Sequence, residues 1–222
     1  VSALAIAGGH GKIAMLLGGL LVDRGDTVRG LIRNPDHEGE LRAAGIEPVL
    51  CDLEADGDVA AAVRGADAIV FAAGAGPGSG AARKATMDLG GAVKLIDAAK
   101  AEGVSRYLIV SSMGAADPPA EGADVPGRDA VFAAYLHAKA GADEALRASG
   151  LDFTVVRPGA LTDDPGTGLV SAAERLDRGQ IPRADVAAVL LACLDEPGTI
   201  GKSFDLTSGD TPIPAALASL CC

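Results

Sequence analysis

Residues Leu4–Ala14 read LAIAGGHGKIA. A short apolar run ends in glycines, and from Lys12 to Arg24 the apolar residues recur with helical spacing. A buried strand that turns directly into a helix is the opening of a βαβ unit. Gly8 and Gly11 stand at the first two places of G-x-x-G-x-x-G, with Ala14 in the third. In that pattern one glycine makes a tight turn and a second lets backbone approach a pyrophosphate. The third small residue lets helix and strand pack, and the helix N-terminus faces the negative charge. A glycine-rich turn alone is a weak signal; its place between strand and helix gives it weight. The turn Gly8, Gly9, His10, Gly11, Lys12, Ile13 is therefore expected to cradle a dinucleotide. Neither Gly11-Lys12 nor Gly201-Lys202 has the upstream glycine of a phosphate-binding P-loop.

Outward from this turn the chain alternates. TVRGLIR, EPVLCD, DAIVFAAG, VSRYLIVSS and DFTVVRPG read as further strands. Between them HEGELRAAG, DVAAAVRG, Met87 to Glu102 and Asp129 to Ser149 read as helices. Apolar strands alternating with helices predict an α/β fold, a Rossmann-type doubly wound parallel sheet covered on both faces. The stretches GAGPGSG and ADPPAEGADVPG each follow a strand's carboxyl end, the edge at which such sheets bind ligands. No internal repeat or linker is visible, so residues 1–222 are expected to form one domain, with 161–222 as a small C-terminal lobe.

Composition narrows the functions. The chain has 222 residues, 49% hydrophobic, and a net charge of −11, which argues against nucleic-acid or anionic-membrane surfaces. Cys51, Cys193, Cys221 and Cys222 have no disulfide-framework or Cys/His metal spacing, so no metal is expected. No apolar run reaches membrane-spanning length, and the opening reads as a strand rather than a leader. A cytoplasmic protein, monomeric or weakly dimeric, acting on a small molecule is expected. A serine hydrolase is excluded because no G-x-S-x-G occurs.

The end of the second strand bears on which dinucleotide binds. An NAD site places an acid there for the ribose hydroxyls, whereas an NADP site offers arginine. Here Arg33 and Asn34 follow Ile32, and the first acids, Asp36 and Glu38, come after Pro35. Arg33 could be a solvated surface charge, but NADP(H) is preferred over NAD(H). Further on, Tyr135 and Lys139 share a helix face at i, i+4, in a chain with two tyrosines and six lysines. An ammonium beside a phenol favours the phenolate, which suits a proton donor. Ser111 and Ser112 end the preceding strand; they could simply terminate it, or a hydroxyl could hold a substrate carbonyl. His137 points off the pair's face.

Taken together, AGGHGKIA, GLIRNP, CDLE, FAAGAG, SSMGA, YLHAK, LDFTVVRPGAL and IPRADVA make the chain resemble the atypical short-chain dehydrogenase/reductases. That branch includes NmrA-like and biliverdin-reductase-B-like NAD(P)-binding proteins and epimerase/dehydratase-like members. The resemblance spans nearly the whole chain. It implies that Asp52 and Leu53 flank the adenine and that Ala72, Ala73 and Gly74 line the middle of the cofactor. It implies that Pro158, Gly159, Ala160 and Leu161 pack on the nicotinamide, with Ser111 nearby, and that Ser112, Tyr135 and Lys139 form a catalytic set. Where related enzymes often carry an active-site Asn, this chain has Asp88, as the atypical branch commonly does. Only residues 162–222 follow the loop, which argues against a nucleotide-sugar epimerase. The implied activity is NADP-dependent hydride transfer with a small carbonyl or quinone-like acceptor. The alternative is a non-catalytic NADP(H)-sensing protein.

The segment Gly114 to Asp129 precedes the Tyr135 helix and is rich in Pro, Gly and acids. It is either a solvated surface loop or a lid; as a lid its acids would disfavour anions, and a small neutral or apolar substrate is expected. Arg157, at the end of the sixth strand, is expected to be structural.

Overall fold

The computed structural model describes residues 2–221 apart from 56, 77 and 121–130. The first half contains β1 (Ala3–Ala7), α1 (Lys12–Arg24), β2 (Thr27–Ile32), α2 (Glu38–Ala43), β3 (Glu47–Leu50), α3 (Val59–Val63) and β4 (Ala68–Phe71). A long helix follows: α4 (Ala81–Arg83) passes through a π-helical stretch, Lys84–Gly91, into α5 (Ala92–Ala101). Next come β5 (Arg106–Val110), α6 (Phe132–Arg147), β6 (Asp152–Pro158), β7 (Ala160–Thr162), β8 (Leu169–Ala173) and β9 (Gln180–Pro182). The chain ends with α7 (Arg183–Asp195), β10 (Lys202–Ser208), β11 (Thr211–Pro212) and α8 (Ile213–Ser219).

The main sheet has the order β11-β8-β10-β6-β5-β4-β1-β2-β3. From β3 through β10 every neighbouring pair is parallel, and β8 alone runs against the rest, antiparallel to both β10 and β11. This is the doubly wound α/β architecture expected. Chain order reverses between β1 and β4, so a crevice opens beyond their carboxyl ends, where such sheets take ligands.

Alternation along β1 divides the core. Leu4 and Ile6 pack on one face with Leu17 and Leu21 of α1 and Val186 and Leu190 of α7. Ala5 and Ala7 face the other layer, with Leu95 and Ile96 of α5 and Ala142 and Leu146 of α6. These side chains are essentially solvent-free, and each large one contributes about 1.5–3 kcal/mol relative to exposure. The small residues on the second face let α5 and α6 lie close to the sheet.

The turn after β1 uses its glycines differently from the simple fingerprint reading. Gly8 has φ +75°, a conformation open mainly to glycine, and its carbonyl accepts from the Gly11 amide at 2.7 Å. Gly9 lies against β2: a Cβ there would come within 2.6 Å of the Gly30 Cα, and its amide donates to the Leu31 carbonyl at 2.9 Å. Gly9→Ala is thus expected to cost about 1–3 kcal/mol by overpacking backbone on backbone. Urea unfolding would measure it, and an unchanged midpoint would show that the turn moves freely.

Residues after Leu161 divide between sheet and site. β10 extends the main sheet beside β6, α7 packs on α1, and β7 pairs in parallel with β9 as a small second sheet. The long helix begins at Ala81 rather than Met87, because the glycine-rich stretch conceals its first turns. Helix α6 is described from Phe132; residues 129 and 130, and the body of the expected lid, lie outside the described residues.

Candidate functional site

Three adjoining cavities form one groove along the carboxyl edge of the sheet. The first, about 470 Å³, lies between the glycine turn, β2, β3 and β4. Gly8, His10, Gly11, Arg33, Asp52, Leu53, Ala72, Ala73 and Gly74, all expected at a cofactor, line it. So do His37, Cys51, Arg83 and Met87, which sequence reasoning missed. The turn leaves α1 without a side-chain cap at Gly11 and without an acid in its first turn. Its first amides are therefore free to meet an anion.

Three expected residues line none of these cavities. Gly9 packs on β2 as described. Lys12 is turned outward to Asp163, 2.5 Å away. The Asn34 side chain accepts from the Asp36 amide at 3.1 Å and caps the short 3₁₀ turn before α2.

Arg33 borders the first cavity but already has a partner. Its guanidinium stands 3.5 Å from Glu54. Glu54 also accepts from Arg83 at 2.8 Å and from the Thr86 hydroxyl at 2.8 Å. The Arg83 guanidinium holds the Glu54 carboxyl below its usual range. On the opposite wall His10 stacks on His37 at 3.7 Å and bonds Glu40 at 2.9 Å.

The second cavity, about 440 Å³, is reached past Ala72–Gly76 and is lined by Ile13, Lys84, Asp88, Ser111, Tyr135, Lys139 and Leu161. Lys139 is only 4% exposed and forms an ion pair with the equally buried Asp88 at 3.3 Å. Its ammonium also donates to the Val110 carbonyl at 3.2 Å. The other Asp88 oxygen accepts from the Ala75 amide at 3.2 Å, so the carboxylate ties the β4 loop to the lysine. Lys139 Nζ lies 5.9 Å from the Tyr135 ring centre, and Lys84 Nζ lies 5.3 Å from it. Tyr135 thus sits between two ammonium groups, with Asp88 compensating the buried one.

Tyr135 also borders the third cavity, about 540 Å³, with Ser112, Pro158, Gly159, Ala160 and Leu161. Among the described residues the Ser112 hydroxyl makes only a weak bond, to the Met113 carbonyl at 3.4 Å. Ser111 is buried; its hydroxyl lies beside Asp143, near enough to favour the carboxylate, but without a well-formed hydrogen bond. The far wall carries Arg175, Arg178, Arg183 and Asp205.

Behind this wall Arg157 bonds Asp143 at 2.9 Å, both almost solvent-free, and sits opposite Asp205 in the strand register. It lines none of the three cavities. Burial raises the Asp143 carboxyl above its ordinary range against the pull of Arg157, and burial likewise raises Asp205. His137 Nε2–H donates to the Pro119 carbonyl, 2.7 Å away, and so tethers the start of the loop.

Residues 8–197 match the family described as NAD(P)H-binding. The chain belongs to that family. As an NAD(P)H-binding protein it is 42% identical over 217 residues to a Bacillus subtilis protein named "uncharacterized sugar epimerase YhfK", covering 97% of this chain and 98% of that one. A Bacillus halodurans structure, described as an NAD-dependent epimerase/dehydratase, superposes with TM-score 0.89 at 36% identity, covering 99% of this chain and all of the other. The anaerobilin reductase ChuY of Escherichia coli superposes with TM-score 0.79 at 26% identity, over 93% of this chain and 97% of that one. These likenesses agree with the atypical short-chain dehydrogenase/reductase resemblance. The turn after β1 is compatible with a dinucleotide: Gly8 and Gly9 have no room for side chains against β4 and β2, and α1 starts without a side-chain cap beside the cleft that Gly11 lines.

Proposed function

We propose that the protein is an NADP-dependent oxidoreductase that interconverts a carbonyl or quinone-like compound and its reduced form. The observation that carries this reading is the placement of Tyr135, which borders both the Lys139 cavity and the Ser112 cavity. When bound, the dinucleotide supplies or accepts the hydride at its nicotinamide ring. Tyr135 gives its phenolic proton to the substrate oxygen as that oxygen gains charge. Lys139 stabilises the phenolate left behind, and Asp88 compensates the buried ammonium. Ser112 donates a hydrogen bond to the same oxygen and fixes its direction. Ala160 and Leu161, on β7, would pack against the nicotinamide.

Arg33 supports NADP over NAD. A 2′-phosphate offers oxygens matched to a guanidinium, and no acid at the end of β2 waits for a ribose hydroxyl. Arg33→Ala is expected to weaken NADPH binding about tenfold or more, the worth of one charge-assisted bond, while NADH binding changes little. Fluorescence titration of both cofactors checks it; equal affinities in the unaltered protein would sink the preference. The activity itself is tested by screening aldehydes, ketones and quinones for NADPH oxidation.

One observation favours the sensing alternative: Lys139 is engaged by Asp88 and Val110 rather than hydrogen-bonded to the Tyr135 hydroxyl. Tight NADPH binding with no turnover across the screen would select it.

A further inference from the structure

The third cavity joins Tyr135 and Ser112 to Arg175, Arg178 and Arg183. Three arginines lining one cavity are unexpected in a chain of net charge −11. Their partners decide what they are for. Arg183 is answered by Asp163 at 2.7 Å. Arg175 bonds the neutral carbonyl of Ala116 at 3.3 Å and forms no ion pair among the described residues. Arg178 is exposed and has no hydrogen bond or ion pair among the described residues. Asp205 also lines the cavity; one of its oxygens takes the Leu176 amide at 3.2 Å, the buried Arg157 lies opposite it, and Arg175 is near enough to favour its carboxylate without forming an ion pair.

The backbone carrying Arg178 is not a loose loop. Gly179 accepts from the Ala160 amide at 2.9 Å, and Gln180 pairs with Ala160 in the register of β7 and β9. Arg178 is therefore anchored to the segment that closes the floor of the reaction cavity. Guanidinium groups recognise carboxylate and phosphate oxygens in a bidentate manner.

We infer that Arg178, with Arg175, forms an anion subsite, and that the substrate is a carbonyl compound bearing a carboxylate or phosphate group. This rests on the oxidoreductase reading for the carbonyl, but not for the anion. It replaces the expectation of a neutral substrate, which weighed the acids of the 114–129 segment without the arginines that follow Ala173.

Two matched pairs of compounds test it: phenylglyoxylate against its methyl ester, and glyceraldehyde 3-phosphate against glyceraldehyde. NADPH oxidation is followed with the unaltered protein, Arg178→Gln, and the double variant Arg175→Gln/Arg178→Gln. One charged member is expected to exceed its neutral partner in kcat/KM by about tenfold or more, and the member preferred identifies carboxylate or phosphate. That advantage should collapse in the variants while the neutral member reacts as before. Equal rates within both pairs, or an advantage that survives the double variant, would overturn the subsite and leave the oxidoreductase reading standing. If nothing in either pair is reduced, calorimetric titration of phenylglyoxylate and glyceraldehyde 3-phosphate into the NADP⁺-saturated protein decides. Binding lost in Arg178→Gln then upholds the subsite, with hydride transfer left to the wider screen, and absence of binding removes the subsite.

Discussion

Tyr135→Phe is expected to lower turnover by about 10²-fold or more while NADPH affinity stays nearly intact. The substitution removes one oxygen and leaves the ring between Lys84 and Lys139. Binding contacts that use the ring survive, and only proton delivery is lost. Lys139→Ala should behave differently, because it strips Asp88 of its buried counter-charge at 3.3 Å. Uncompensated, that carboxylate disturbs the β4 loop it holds through Ala75, so affinity and turnover should fall together. Stopped-flow and equilibrium titration on the same preparations separate the two. Normal turnover in Tyr135→Phe would make the pair a shared helix face and nothing more.

Arg157→Leu is expected to destabilise the fold by about 3–5 kcal/mol, the usual result of breaking a buried pair from one side. Asp143 would remain nine-tenths buried or more with its principal partner gone, and Asp205 would lose the cation across the strand. The sign of the pH dependence follows. Burial already raises the folded-state Asp143 above its unfolded value, so the native form binds more protons than the unfolded chain in that window. Stability contributed by this group therefore grows as pH falls, and removing Arg157 widens the window. Urea unfolding at pH 8 and pH 5 should show a smaller deficit at pH 5. A deficit that is the same or larger there would contradict the account. NADPH affinity should follow stability only, since Arg157 lines none of the cavities.

The strand-turn-helix at Leu4–Arg24 is legible in the sequence because local pattern and global fold agree there. Arg33 is legible for the same reason: the end of β2 has a fixed place in a βαβ unit. Tyr135 and Lys139 can be paired from spacing, since helix geometry alone brings them to one face. Asp88 can be nominated only by family resemblance, and its ion pair with Lys139 cannot be foreseen. That contact depends on a π-helical stretch, which no apolar periodicity announces. Arg175 and Arg178 escape notice because their segment has neither helix nor strand pattern. They reach the site only because β9 pairs with β7, a contact between short elements separated by a long excursion. Glu54 is hidden likewise; its three partners come from distant parts of the chain.

The π-helical stretch Lys84–Gly91 also sets what the chain can lose by descent. One residue in an α-helix advances the side-chain direction by about 100°, so the wider turns hold the helix's two ends in a phase an ordinary helix would not give. Upstream, Arg83 answers Glu54; inside the stretch, Asp88 answers Lys139; downstream, Leu95 and Ile96 fill the core. A single-codon insertion or deletion between Ala85 and Gly90 would change the phase that this stretch carries. Either the acid or the core face would then rotate out of register, although several of the deleted positions are themselves exposed. Length here is under tighter constraint than identity, so substitutions should accumulate among descendants of this chain while insertions and deletions are purged.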